Sequence, residues 1–225
     1  MMKDQVKARI VEIGIVPVVR ASSAREAMQA TEAVSAGGIP IVEITMTVPG
    51  AVEVIADLAK TAGSELLIGA GTVLNAESAQ RCVDAGAQFL VSPGFDRETV
   101  QLAKRLDRLM MAGGLTPTEV VTAWNAGSDF VKIFPCGSVG GVKYIKALKG
   151  PLPQIPMIPT GGVNQSTATE FILAGAAALG IGGELVSAPA LKSGRLSEIT
   201  EAARQYVSLV RDARRQLKSP VPSNA

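Results

Sequence analysis

Residues 39–94, IPIVEITMTVPGAVEVIADLAKTAGSELLIGAGTVLNAESAQRCVDAGAQFLVSPG, decide how this chain is read. Three short apolar runs, Ile39–Thr45, Leu66–Ile68 and Gln88–Ser92, are separated by Ala- and Glu-rich stretches with helical spacing. Runs of strand length alternating with amphipathic segments of helix length are the pattern of parallel βα units.

The same alternation continues in both directions. Upstream, Ile15–Val19 is a first strand, preceded by MMKDQVKARIVEIG, which reads as a short amphipathic helix rather than a secretory signal. Downstream lie Leu109–Ala112, Phe130–Phe134, Met157–Pro159 and Ala178–Ile181, each followed by another helical segment. Four helical segments end in the same dipeptide, at Ala36-Gly37, Ala85-Gly86, Ala126-Gly127 and Ala174-Gly175. Glycine is the residue a helix C-terminus calls for where the backbone turns left-handed, and a strand follows each one within a few residues. Eight strands with eight following helices predict an α/β fold, a (βα)8 TIM barrel with an additional N-terminal helix. A doubly wound open sheet is the competing architecture, but no dinucleotide fingerprint follows the first strand. The barrel is expected to occupy residues 1–217 as a single domain, and 218–225, with two prolines, to be a disordered tail.

Composition narrows the chemistry. Nearly half of the 225 residues are apolar, at 47%, which suits parallel strands covered by helices. A net charge of +2 with no basic stripe gives no reason to expect nucleic acid. No uninterrupted apolar run is long enough to span a bilayer, so a soluble cytoplasmic protein is expected. Cys82 and Cys136 have no metal or redox spacing and are read as buried free thiols. The chain has no histidine. That excludes Ser-His-Asp and Cys-His nucleophile systems and the common His-containing zinc sites. Acid–base work falls to carboxylates, lysine, tyrosine or water.

Active sites on such barrels gather at strand C-termini. Lys132 stands inside the sixth strand, in Asp-Phe-Val-Lys-Ile-Phe-Pro, and period-two geometry puts it on one face with Phe130 and Phe134. Enclosing an amine among apolar side chains favours its uncharged, nucleophilic form. The plain alternative is a lysine paired with a carboxylate or reaching out to water. Glu43, in the second strand with Ile41 and Thr45 on its face, is the candidate general acid/base, although two enclosed opposite charges also make a simple salt bridge. Pro159-Thr160-Gly161-Gly162-Val163-Asn164 and Gly180-Ile181-Gly182-Gly183 follow strands seven and eight, where barrels often hold phosphate on bare amides; tight turns use such glycines too. Asn164 could cap the helix that follows. Gly69–Leu74 and Ser92-Pro93-Gly94 bring backbone and hydroxyls to the same end, with turns as their ordinary explanation. Arg20, closing strand one, can meet a carboxylate or phosphate through a bidentate bond. From the residues alone, an enzyme whose lysine amine attacks a carbonyl competes with a phosphate-binding barrel isomerase or synthase, and with a non-catalytic sugar-phosphate-binding barrel.

The motifs then resemble one family in order. PVVR (17–20), VEIT (42–45), GAGTVL (69–74), SPG (92–94), TPTE (116–119), VKIFP (131–135), GGVKY (140–144), PTGGV (159–163) and GIGG (180–183) are similar to segments of the 2-keto-3-deoxy-6-phosphogluconate / 4-hydroxy-2-oxoglutarate (KDPG/KHG) aldolases, over roughly Ile10 to Ala188. The resemblance implies a class I aldolase that reversibly cleaves a 2-keto-3-deoxy (phospho)sugar acid or 4-hydroxy-2-oxoglutarate to pyruvate and an aldehyde, glyceraldehyde 3-phosphate or glyoxylate. It implies Lys132 as the Schiff-base lysine, Glu43 as general acid/base, Thr72 near the pyruvyl part, and Gly161, Gly162, Gly182 and Gly183 in phosphate loops. It also implies keto-acid and aldehyde partners, no metal or organic cofactor, and usually a homotrimer. Two positions depart from the pattern. Thr47 stands where the family commonly has an arginine holding the pyruvyl carboxylate, which leaves that task to Arg20 and backbone amides or weakens it. Glu184 follows the last glycine pair where some members have a serine; it must point away from a phosphate, or the aldehyde half is unphosphorylated.

Overall fold

The computed structural model describes residues 2–63 and 65–218. An N-terminal helix α1 (Lys3–Ile13) leads into β1 (Ile15–Val19), α2 (Ala24–Ala36), β2 (Ile41–Thr45), α3 (Ala51–Thr61), β3 (Leu67–Gly71), α4 (Ala76–Asp84) and β4 (Phe89–Val91). The chain continues through α5 (Arg97–Arg105), β5 (Leu109–Gly113), α6 (Pro117–Ala126), β6 (Phe130–Ile133), a 3-10 turn (Gly137–Val139) and α7 (Val142–Lys149). It ends with β7 (Met157–Pro159), α8 (Ala168–Leu173), β8 (Leu179–Ile181), α9 (Ala188–Lys192) and α10 (Leu196–Lys218).

All eight strands are parallel neighbours, in the order β7-β6-β5-β4-β3-β2-β1-β8. A parallel bridge between Thr160 and Gly180 joins the two ends. This is the expected (βα)8 barrel with its extra N-terminal helix. Every strand residue is buried, because helices cover the outer face while side chains fill the inner one. Where one helix was expected after the eighth strand, two are found: the short α9, then the 23-residue α10 lying over α2 and α8. The tail was expected from Lys218, but α10 runs through that residue; the remainder, 219–225, lies outside the described residues. No described helix is long and apolar enough to cross a membrane.

The punctuation read from sequence acts locally. Ser23, Asn75 and Asp96 cap α2, α4 and α5 by accepting from backbone amides three residues on. Thr116 and Glu119 form a capping box on α6, with Pro117 in its first turn. Gly86, Gly127 and Gly175 take the left-handed conformation, at φ 109°, 103° and 93°. The first Ala-Gly pair differs. Gly37 has φ −83°, and Gly38 is the left-handed residue at φ 93°. Gly37 is needed instead for packing: a Cβ there would collide with the Ala203 Cβ of α10.

Helix α1 lies across the N-terminal ends of the strands. Val6 and Ile10 are buried beneath it, and Lys3 Nζ is 3.2 Å from Asp129 Oδ1, just before β6. Lys7 Nζ stands 5.7 Å from the centre of the Phe130 ring, and Arg9 donates to the Glu65 carbonyl ahead of β3 at 3.1 Å. Arg214 of α10 donates to the carbonyls of Val11 and Glu12, satisfying the C-terminal turn of α1.

Candidate active site

Lys132 and Glu43 point into the barrel from β6 and β2. They are 5% and 2% exposed, and Lys132 Nζ is 3.7 Å from Glu43 Oε1. That separation is ion-pair range but beyond a hydrogen bond, and the buried Oε1 has no hydrogen-bond partner. Burial pushes the Glu43 carboxyl above its ordinary value of 4.5; the charges of Lys132 and then Arg20 oppose that rise without cancelling it. A carboxyl so placed keeps its proton more readily than one in water, beside an amine that must lose one to attack a carbonyl. The sequence indicated two enclosed opposite charges, and the barrel brings them face to face.

The neighbourhood makes room for the pair. Gly71 ends β3 opposite Thr45, and a Cβ at Gly71 would collide with the Glu43 carboxylate. Phe134, half-buried just past β6, has its ring centre 5.6 Å from Lys132 Nζ. Its ring separates two hollows at the strand C-termini. One, of about 350 Å³, is bordered by Pro93, Gly94, Gly113, Gly114 and Leu115. The other, of about 100 Å³, lies between the ends of β1, β7 and β8. Larger hollows of about 440 and 640 Å³ lie elsewhere, against α1 and α10 and ahead of β2 and β3, away from both charges.

The smaller hollow gathers most of the expected binding residues. Arg20, Gly161, Gly162, Gly182 and Gly183 all line it. Gly161 and Gly162 are left-handed, at φ 84° and 79°, and a Cβ on Gly162 would come within 2.8 Å of the Gly137 Cα. Only glycine serves there. Arg20 is exposed and, among the described residues, its guanidinium has no hydrogen-bond or ion-pair partner. Thr160, 4% exposed, and Phe134 border the same space; the sequence placed Thr160 in the loop after strand seven and Phe134 on the face of Lys132 but gave neither a role of its own.

Other positions have local roles. Thr72 follows β3 at φ 57°, a strained conformation for a β-branched residue that is held where strand three meets the rim. Thr47 is exposed, and its hydroxyl lies 2.7 Å from that of Thr45, which donates to the Val19 carbonyl. Thr45 thereby ties β2 to β1, and Thr47, where no arginine stands, braces that hydroxyl. Ser92 donates to the Gly94 carbonyl at 2.7 Å, so its turn reading holds. Asn164 accepts from Ser166 and Thr167, organising the turn before α8, whose N-cap is Thr167; the expected cap sits too early. Cys82 and Cys136 are buried free thiols, each pushed up to about 11 by burial.

A barrel that encloses an amine and a carboxylate beneath an open, glycine-rich rim has the equipment of a class I aldolase, and that is the class to which this protein belongs. The family model for KDPG and KHG aldolase matches residues 6–202. The Escherichia coli KHG/KDPG aldolase is 35% identical over 194 residues, covering 86% of this chain and 90% of its own. The crystal structure of a KDPG aldolase from Legionella pneumophila, with pyruvate captured at low pH as a covalent carbinolamine intermediate, superposes with a TM-score of 0.82. It is 32% identical and covers 88% of this chain and 96% of its own. A cube-shaped protein cage designed by fusing symmetric oligomeric domains contains a chain that is 30% identical with a TM-score of 0.84, covering 92% of this chain and 75% of its own. The chain belongs to the KDPG and KHG aldolase family.

Proposed function

We propose that Lys132 forms the Schiff base and Glu43 moves the protons in cleavage of a 2-keto-3-deoxy acid between C3 and C4. The observation that carries this reading is the enclosed pair, 3.7 Å apart, with its carboxyl raised by burial. The Lys132 amine adds to the C2 carbonyl; a proton from Glu43 lets water leave, giving a protonated imine. Ionised Glu43, directly or through a water, takes the C4 hydroxyl proton. The C3–C4 electrons flow into the imine, the aldehyde departs, and an enamine remains. Protonation at C3 and hydrolysis return pyruvate and the free lysine. Arg20, Thr72 and the glycines 161, 162, 182 and 183 hold the acid around this centre.

Borohydride added with pyruvate should fix a reduced pyruvyl group on Lys132, read by peptide mass. Unmodified Lys132 with steady turnover would defeat the reading. Pyruvate release coupled to lactate dehydrogenase should vanish in Lys132→Ala. Chelators should leave turnover unchanged. We also propose a homotrimer in the cytoplasm, in keeping with the family resemblance and the likeness to the cage component; light scattering on the purified chain tests the trimer.

A further inference from the structure

The 100 Å³ hollow that gathers the glycine loops is also bordered by an exposed acidic residue. Glu184 borders it together with Arg20, Gly161, Gly162, Gly182 and Gly183. Arg20 reaches it from β1, and a Cβ on Gly182 would lie 3.7 Å from its guanidinium. The loops therefore present bare amides between one cation and one anion. Among the described residues, neither Arg20 nor Glu184 is tied to a hydrogen-bond or ion-pair partner. The Tyr206 hydroxyl lies behind Glu184, shares a second hollow with it, and is buried with no partner of its own. Glu184 has not turned away to accept from it.

Such a space has donors on one side and an acceptor on the other, with little net charge. A hydroxyl donates to the carboxylate while accepting from the guanidinium or an amide. A phosphate dianion has no proton to offer Glu184 and is repelled by it, although the exposure of Glu184 and Arg20 at the rim lets solvent screen part of that repulsion. We propose that Glu184 makes this hollow a hydroxyl subsite, so that the preferred acids are 2-keto-3-deoxy sugar acids ending in an uncharged alcohol rather than a phosphate. This rests on the reading that Lys132 cleaves such acids beside the hollow.

The test compares 2-keto-3-deoxygluconate with its 6-phosphate in the coupled pyruvate assay. The wild-type enzyme should favour the unphosphorylated acid by about tenfold or more in kcat/KM. Glu184→Gln should raise kcat/KM for the phosphate about tenfold, mainly through KM, while lowering it for the free alcohol as the acceptor weakens. Tyr206→Phe should leave the preference where it was. Preference for the phosphate by wild type, erased in Tyr206→Phe, would overturn the proposal by showing the carboxylate drawn onto the tyrosine. An unchanged ratio in Glu184→Gln would overturn it equally. If the aldolase reading itself is wrong, neither acid releases pyruvate and borohydride traps nothing on Lys132, an outcome distinct from either.

Discussion

Lys132 and Glu43 bring opposite demands into one enclosed space: the amine must be free to attack, and the carboxyl must be ionised to take the hydroxyl proton. Burial lifts the Glu43 carboxyl, so the acid limb of kcat/KM should lie above 4.5, its ordinary value, with activity rising as pH rises through the lifted value. Glu43→Gln should abolish that limb and slow kcat by about 10²–10⁴-fold; a limb that survives the substitution would assign it elsewhere. The pair also has a stability signature. In Lys132→Met the carboxyl loses its main source of opposing charge and rises further. A raised folded-state value costs nothing below 4.5, the ordinary value, and costs progressively more as pH climbs past it. Thermal and urea unfolding should show the variant nearly as stable as wild type at low pH and weaker by about 3 kcal/mol at neutral pH. Both residues were legible in the sequence because a charge inside an apolar strand has few ordinary explanations, a buried salt bridge or a reach to water being the main ones. The places of Phe134 and Thr160 were legible too, but not their roles, because an aromatic or a threonine near a strand end has several explanations.

The elements show where local chemistry stops being sufficient. Eight strands were readable from apolar runs between helical segments, but β3 was placed too short, ending at Ile68 instead of Gly71. Gly69, Ala70 and Gly71 carry no strand propensity of their own. They are strand because the barrel requires pairing there, and glycine because Phe89 and Glu43 occupy the space their side chains would fill. Gly71→Ala should therefore keep the far-ultraviolet spectrum and lose about a hundredfold in kcat as Glu43 is displaced. Full activity in that variant would mean the carboxylate tolerates another position. The start of β2 at Ile41 rather than Ile39 has a similar cause, since Pro40 has no amide to donate to a ladder. At α2 the left-handed residue fell one position late because Gly37 was needed against α10, a contact between residues far apart in sequence.

For the whole molecule, the repeat specified the barrel, but its two ends were set by long-range contacts that no local pattern records. Arg214 joins α10 to the last turn of α1, and with Lys3, Lys7 and Arg9 it holds that helix over the strand N-termini. Arg214→Ala removes the donor to two carbonyls in the last turn of α1 and should cost about 1 kcal/mol in unfolding free energy while turnover at 25 °C is unaltered. An unchanged melting temperature would show the helix anchored by its apolar face alone. That stopper also governs traffic. With one end of the barrel plugged, the aldehyde fragment has to clear the loop side before water can reach the three-carbon piece still tethered to Lys132. A lingering aldehyde meets the enamine again and rebuilds the acid, so the single exit sets how often the enamine returns to substrate before it goes on to pyruvate.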